Sequence, residues 1–229
     1  EKIYSKKILA NSNTAEWTFD YLIPLLKEVE LTEEDYFVIK QKCDDLRLDL
    51  IVTPFDQESA SFVNKVGVVA FKIASADMTN YGLIEKCASF GKPLIISTGM
   101  WEATDIQKCV NHYDNIGFEY TLLLANSTYP TPYESLNLGF LDRLKEMHDS
   151  VGYSGHERGT FIPVAAVAKG ASIIEKHITF DRHARGPDHK ASMYPSEFKE
   201  MVMNIRDLEL ALGNKKEVNQ AETLAKEAF

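Results

Sequence analysis

Gly91-Lys92-Pro93-Leu94-Ile95-Ile96-Ser97-Thr98-Gly99-Met100 opens on a Gly-Lys-Pro turn, runs through three apolar residues and ends in two hydroxyls and a glycine. A short run that is apolar without alternation marks a strand buried on both faces, as in a parallel sheet covered by helices. The unit recurs outward in both directions. Six runs rich in Val, Ile and Leu lie at 48–53, 70–74, 93–98, 120–125, 150–153 and 171–177. Between them the spacing predicts helices over 58–66, 81–90, 102–112, 140–148 and 161–168, the last behind a Gly-Thr start signal. A closing helix over 196–212 takes Ser196 as its N-cap and Gly213 as its stop. Upstream, Thr32-x-x-Asp35 predicts a capped helix over 32–45, whereas 1–30 is less regular and offers no clear buried strand. This alternation suits an open doubly wound sheet, and equally an eight-stranded barrel without its first two strands.

The chain has 229 residues, 45% of them hydrophobic, enough for one large core and one domain. A formal net charge of −9 argues against a general nucleic-acid or anionic-membrane binder, while leaving room for a local basic pocket. Cys43, Cys87 and Cys109 are widely spaced, form no CxxC and read as reduced packing residues of a cytoplasmic protein. No apolar run approaches the roughly 20 residues of a membrane span, and the charged start at 1–7 precedes no signal-peptide core.

In sheets of this kind functional groups gather at the C-terminal ends of the strands. Polar residues close nearly every run here: Thr53; Lys72 and Ser75; Ser97 and Thr98; Asn126, Ser127 and Thr128; Ser154 and His156; and His177. Singly, each hydroxyl or amide is as readily explained as a cap or turn former. Lys72, inside Ala70-Phe71-Lys72-Ile73-Ala74, needs an anionic partner or a route to solvent, because an unpaired buried ammonium is costly. A phosphate would serve, with Ser75, Ser97 and Ser154 as further donors. A structural carboxylate is the alternative. His156 and His177 fall on consecutive strands, where two imidazoles can converge on a divalent cation whose remaining positions are filled by substrate and water. By spacing alone two unrelated polar histidines are the simpler reading, since no HxxxH or HEXXH arrangement is present. Around Gly186-Pro187-Asp188, the residues Arg182, His183, Arg185, His189 and Lys190 make the local charge positive.

Taken in order, the motifs Thr53-Pro54-Phe55-Asp56, Phe71-Lys72-Ile73-Ala74-Ser75, Ser97-Thr98-Gly99-Met100, Tyr129-Pro130-Thr131-Pro132-Tyr133-Glu134, Gly152-Tyr153-Ser154-Gly155-His156-Glu157, Glu175-Lys176-His177 and Gly186-Pro187-Asp188-His189 resemble the sialic acid synthase family. These are phosphoenolpyruvate-dependent nonulosonate synthases. The resemblance implies a (β/α)8 TIM barrel, here without the first two strands, where the family carries its Glu-Ala-Gly and Lys-Phe-Gln motifs. It also implies that residues 1–229 are a partial catalytic domain, without the small C-terminal antifreeze-like domain and inactive as an isolated polypeptide. Thr53, Lys72, Ser75, Ser97, Ser127 and Ser154 match positions that bind substrate, Ser127 standing where many members have asparagine. Tyr129 and Asp188 match contacts to an amino sugar, and His156 and His177 match metal ligands. Lys72, His177 and Asp188 are the candidate catalytic groups. Gly155 replaces the aspartate of the commoner Ser-Asp-His version.

The implied reaction joins phosphoenolpyruvate to an N-acylated amino sugar in a cytoplasmic homodimer that engages neither nucleic acid nor membrane. The implied cofactor is Mn²⁺, with Mg²⁺ or Co²⁺ as alternatives. Two other readings are a barrel that condenses phosphoenolpyruvate with a phosphorylated sugar, which calls for extra arginines beyond Arg158, Arg182 and Arg185, and a non-catalytic sugar-phosphate binding protein.

Overall fold

The computed structural model describes residues 19–214 and 216–228; the reading of 1–18 lies outside these residues. In chain order the elements are α1 (Phe19–Val29), α2 (Glu33–Leu46), β1 (Ile51–Val52), α3 (Gln57–Val66), β2 (Ala70–Ile73), α4 (Tyr81–Ala88), β3 (Leu94–Ser97) and α5 (Ala103–Ile116). They continue with β4 (Tyr120–Ala125), α6 (Phe140–Met147), β5 (Val151–Gly155), α7 (Phe161–Ala168), β6 (Ile174–Lys176), α8 (Pro195–Ala211) and α9 (Gln220–Ala228). The six strands form one sheet in the order β1-β2-β3-β4-β5-β6, and every pair is parallel. A doubly wound sheet reverses its strand order at a switch point. This one never reverses, and it curls into part of a β/α barrel.

Period-two alternation sorts the strand residues into two layers. Phe71, Ile73, Leu94, Ile96, Leu122, Leu124, Val151 and Tyr153 point outward into the main core, where they meet helix residues such as Ile84, Val110 and Leu144. Ala70, Ile95 and Leu123 form a separate inner cluster with Ile173. Gly152 lies at the same inner level. A Cβ there would come within 2.5 Å of both the Ile173 carbonyl and Leu123 Cδ2, so the inner layer closes only over a bare backbone. Gly152→Ala is therefore expected to lower unfolding free energy by about 3 kcal/mol through overpacking. The control Gly139→Ala, where a Cβ meets nothing within 4 Å, is expected to be nearly neutral in the same denaturant titration.

Several boundaries depart from the sequence reading. The helix expected to close the chain, α8, is followed by α9, and it is capped by Tyr194, not Ser196, because Pro195 is already shaped for the first helical position and Glu197 Oε2 accepts from the Tyr194 amide at 2.7 Å. Helix α7 has the expected bounds and Thr160 at its N-cap position, although Thr160 makes no side-chain cap bond. Helix α5 runs past His112 to Ile116, where Gly117 in the left-handed region ends it. The stretch read as irregular contains α1, with Pro24 inside the helix. The Thr32–Asp35 capping box is present at α2. Cys87 and Cys109 are buried in the main core, and burial pushes the Cys87 thiol up to about 12, which suits inert packing residues.

Candidate functional site

The inner layer turns polar one step above the cluster of Ala70, Ile95, Leu123 and Ile173. The next inward position is Lys72 on β2, Ser97 on β3, Ser154 on β5 and Glu175 on β6, with His156 and His177 one residue beyond the last two strands. Parity alone brings these side chains to the C-terminal rim.

Lys72 is nearly buried, donates to the Ile73 carbonyl at 2.8 Å and lies 3.7 Å from Glu175 Oε2. Burial lowers its pKa, and the Glu175 carboxylate opposes that shift. Ser154 Oγ donates to Glu175 Oε1 at 2.7 Å. Glu175 thus joins two of the expected site residues, although the sequence reading had not assigned it a role. The signal for it was the strand parity that places 173, 175 and 177 on one face. Ser97 is 3% exposed, and its Oγ has no hydrogen-bond partner among the described residues. An orphaned buried hydroxyl on the strand next to Lys72 is a donor suited to a ligand oxygen.

Ser75 and Ser127 come together around Gly99. Ser75 Oγ accepts from the Gly99 amide at 3.0 Å, and a Cβ on Gly99 would meet Ser127 Oγ at 2.5 Å. Trp101 Nε1 donates to the Ser75 carbonyl at 2.7 Å, tying the loops after β2 and β3. Other rim groups have local duties. Thr98 Oγ1 donates to the Leu123 carbonyl, Asn126 Oδ1 accepts from the Thr128 amide, and Asn126 Nδ2 donates to the Ser135 carbonyl. Thr53 follows β1, and no hydrogen bond among the described residues joins it to the rest of the site.

The second group is built from imidazoles. His156 and His177 stand with ring centroids 5.2 Å apart, and Tyr129 lies 4.1 Å from the first and 5.6 Å from the second. His156 Nδ1 is 2.7 Å from the Asn126 carbonyl, which can only accept. The proton therefore sits on Nδ1, and the Nε2 lone pair is left for another partner. Burial pushes the imidazole down to about 4. The Asn126 carbonyl opposes that shift, His177 adds to it, and Glu175 acts with Asn126. The ring is neutral near pH 7, as a metal ligand must be. Burial, with Asp188 and Glu175, raises the Tyr129 phenol, which stays protonated. Asp188 Oδ2 is 3.9 Å from His177 Nδ1.

Among the described residues no group of three or more His, Cys, Asp or Glu side chains is placed to hold a metal ion. The donor set at the rim fits a cation that takes two imidazoles from the chain and oxygens from bound molecules. A cavity of about 800 Å³ also opens nearby, lined by Trp101, Ile106, Leu136 and Phe140 on the outer layer and by Thr98, Asn126, Ser127 and Thr128 at the ends of β3 and β4. Lys72, Ser97 and the two histidines face the inner side of the sheet instead, so the rim is the better candidate.

Fold and site together define a β/α protein with part of a barrel and a polar cluster at its strand ends. The chain belongs to the NeuB family, whose sequence profile matches residues 1–217. It is 46% identical to an uncharacterised protein of Methanocaldococcus jannaschii, over 83% of this chain and 57% of that protein. It is 38% identical to the N,N'-diacetyllegionaminic acid synthase of Legionella pneumophila, over 93% of this chain and 61% of that enzyme. The crystal structure of an N-acetylneuraminic acid synthetase from Leptospira borgpetersenii in complex with citrate superposes with a TM-score of 0.82 at 32% identity, covering 90% of this chain and 73% of that one. The chain spans about three fifths of the length of the curated relatives it matches. No helix among the described residues is long and apolar enough to cross a membrane.

Proposed function

We propose that the protein containing this chain condenses phosphoenolpyruvate with an N-acylated amino sugar, N-acetylmannosamine or a relative, to give a nonulosonic acid such as N-acetylneuraminate and inorganic phosphate. The observation that carries this reading is the inner rim: Lys72 and the unpartnered Ser97 hydroxyl at one end, and the His156–His177 pair beside Tyr129 at the other. Family membership and the similarity to the two synthases support the product class.

In the proposed reaction carbon 3 of the enol attacks the open-chain aldehyde carbon, whose oxygen takes up a proton to become a hydroxyl. Water adds at carbon 2. The carbon–oxygen bond to phosphate then breaks, the phosphate leaves with the electron pair and a keto group remains. Lys72 holds the phosphate and carboxylate charges of phosphoenolpyruvate, Ser97 Oγ donates to one of their oxygens, and Glu175 keeps Ser154 and Lys72 in place. The hydroxyls of Ser75 and Ser127 line the same end, and Thr53 completes it from β1. Tyr129 donates its phenolic proton to the sugar, and Asp188 accepts from a sugar hydroxyl. A divalent cation held by His156 and His177, Mn²⁺ first, supplies a Lewis acid for the aldehyde oxygen.

The rival phosphorylated acceptor would need cationic groups to spare. Arg158 donates to the Lys190 carbonyl, Arg182 to the Ser192 carbonyl and Glu197, and Arg185 to Glu28. Pairing of Arg182 and Arg185 with carboxylates of the chain supports an unphosphorylated sugar.

The test is phosphate release by the full gene product with Mn²⁺, phosphoenolpyruvate and N-acetylmannosamine, with and without chelator. Chelator-sensitive release accompanied by a new nine-carbon acid is expected. Turnover with a different acylated sugar would keep the chemistry and change the product. Silence with every acylated sugar would defeat the proposal.

A further inference from the structure

On the side of the sheet away from the rim, the residues flanking the two histidines are tied to each other. Gly155 and Lys176 are register partners across β5 and β6, and both face the outer layer. Glu157, the residue after His156, folds its carboxylate back over Gly155. A Cβ at 155 would lie 2.6 Å from Glu157 Oε2, 2.9 Å from Oε1 and 2.6 Å from Tyr153 Cε1. That carboxylate accepts from the Tyr153 hydroxyl on Oε2 at 2.6 Å and from Lys176 Nζ on Oε1 at 3.0 Å. Lys176, the residue before His177, donates a second bond to the Glu157 carbonyl at 2.7 Å. Both charged side chains are 0% exposed. Two buried charges with every partner inside the protein are a poor source of stability compared with apolar packing, but they fix one geometry.

We infer that Tyr153, Glu157 and Lys176 form a positioning clamp behind β5 and β6 that sets the separation and direction of His156 and His177, with Gly155 as the bare position over which it closes. The peptide groups of the histidines are held from the other side as well. The Thr131 amide donates to the His156 carbonyl at 3.1 Å, and the Met193 amide to the His177 carbonyl at 2.8 Å. Each histidine is thereby pinned on both flanks, and the Nδ1–H of His156 stays aimed at Asn126. None of the three clamp residues faces the rim, so they act through the histidines and not on substrate. The metal arm of the inference rests on the cation proposed for His156 and His177; the geometric arm does not.

The test uses the full gene product and the double variant Glu157→Gln/Lys176→Met, which removes both charges and leaves neither one buried alone. Leu141→Ala, a cavity in the main core, is the control for general destabilisation. In metal-free protein, 15N-histidine NMR reports whether His156 keeps its fixed Nδ1–H tautomer, and electron paramagnetic resonance of added Mn²⁺ reports affinity. The double variant is expected to lose the fixed tautomer and to weaken Mn²⁺ binding about 10- to 100-fold, while Leu141→Ala leaves both within about twofold. Should the double variant not fold, Tyr153→Phe keeps the ring and removes one bond, with an expected loss of roughly threefold to tenfold. A fixed tautomer in the clamp variants overturns the inference. If the unaltered protein binds no Mn²⁺, the cation proposal fails, and the tautomer measurement still decides the clamp.

Discussion

Lys72→Met is expected to lower kcat/KM for phosphoenolpyruvate by about 10²- to 10³-fold while leaving thermal stability within a few degrees of the unaltered protein. The first half follows from position. Lys72 is the cation on the inner face beside the orphaned Ser97 hydroxyl, and losing a buried charge-assisted contact to an anion is worth about 3–4 kcal/mol, at 1.36 kcal/mol per tenfold in rate. The second half follows from burial. Desolvation already works against the charged form of Lys72, and methionine fills a similar volume without that penalty. Glu175, left without its lysine, is 36% exposed at the side chain and keeps its bond from Ser154, so no carboxylate is stranded in the interior. Activity and stability therefore separate, which a purely structural lysine would not allow. Steady-state kinetics with thermal melts on the full gene product check both halves. A kcat/KM within threefold of the original would remove Lys72 from the substrate site.

Much of this arrangement is legible in the sequence. Apolar runs without alternation located the six strands among the described residues, and polar residues at their ends marked the rim, because both features arise from local sequence. Strand order was not local. Barrel and doubly wound sheets share the same strand-helix alternation, and only the pairing of each strand with its sequence neighbour separates them. Polarity at a strand end also overstated function at some positions. Thr98, Asn126 and Thr128 satisfy backbone groups of the loops, as the turn-former explanation allows. Glu175 was understated for the opposite reason. Its place in a charged Glu-Lys-His triplet hides the fact that alternate residues face opposite sides, so Glu175 joins the rim and Lys176 the buried pair behind it. Gly155 could be read only as a missing side chain. That the space above it belongs to a carboxylate two residues along depends on how the chain folds back after β5.

Within the imidazole pair, His156→Asn is expected to abolish chelator-sensitive turnover, by at least about 10³-fold, with little change in fold. Asparagine places an amide nitrogen near the position of Nδ1, so a donor to the Asn126 carbonyl is retained. It places nothing at Nε2. His156→Ala removes both functions, and its additional effect should be on stability, about 1–3 kcal/mol for leaving a buried carbonyl without its donor. The pair of variants therefore separates the nitrogen that holds the ring from the nitrogen offered to a cation. His156 is nearly buried and neutral near pH 7, so its Nε2 is available without competition from a proton. A solvated surface histidine would have no such constraint. If turnover survives in both variants and remains sensitive to chelator, the cation is held elsewhere and the His156–His177 pair serves only to orient the sugar beside Tyr129. If turnover is lost in the alanine variant alone, the Nδ1 bond is what matters, and His156 acts by fixing the loop at Asn126.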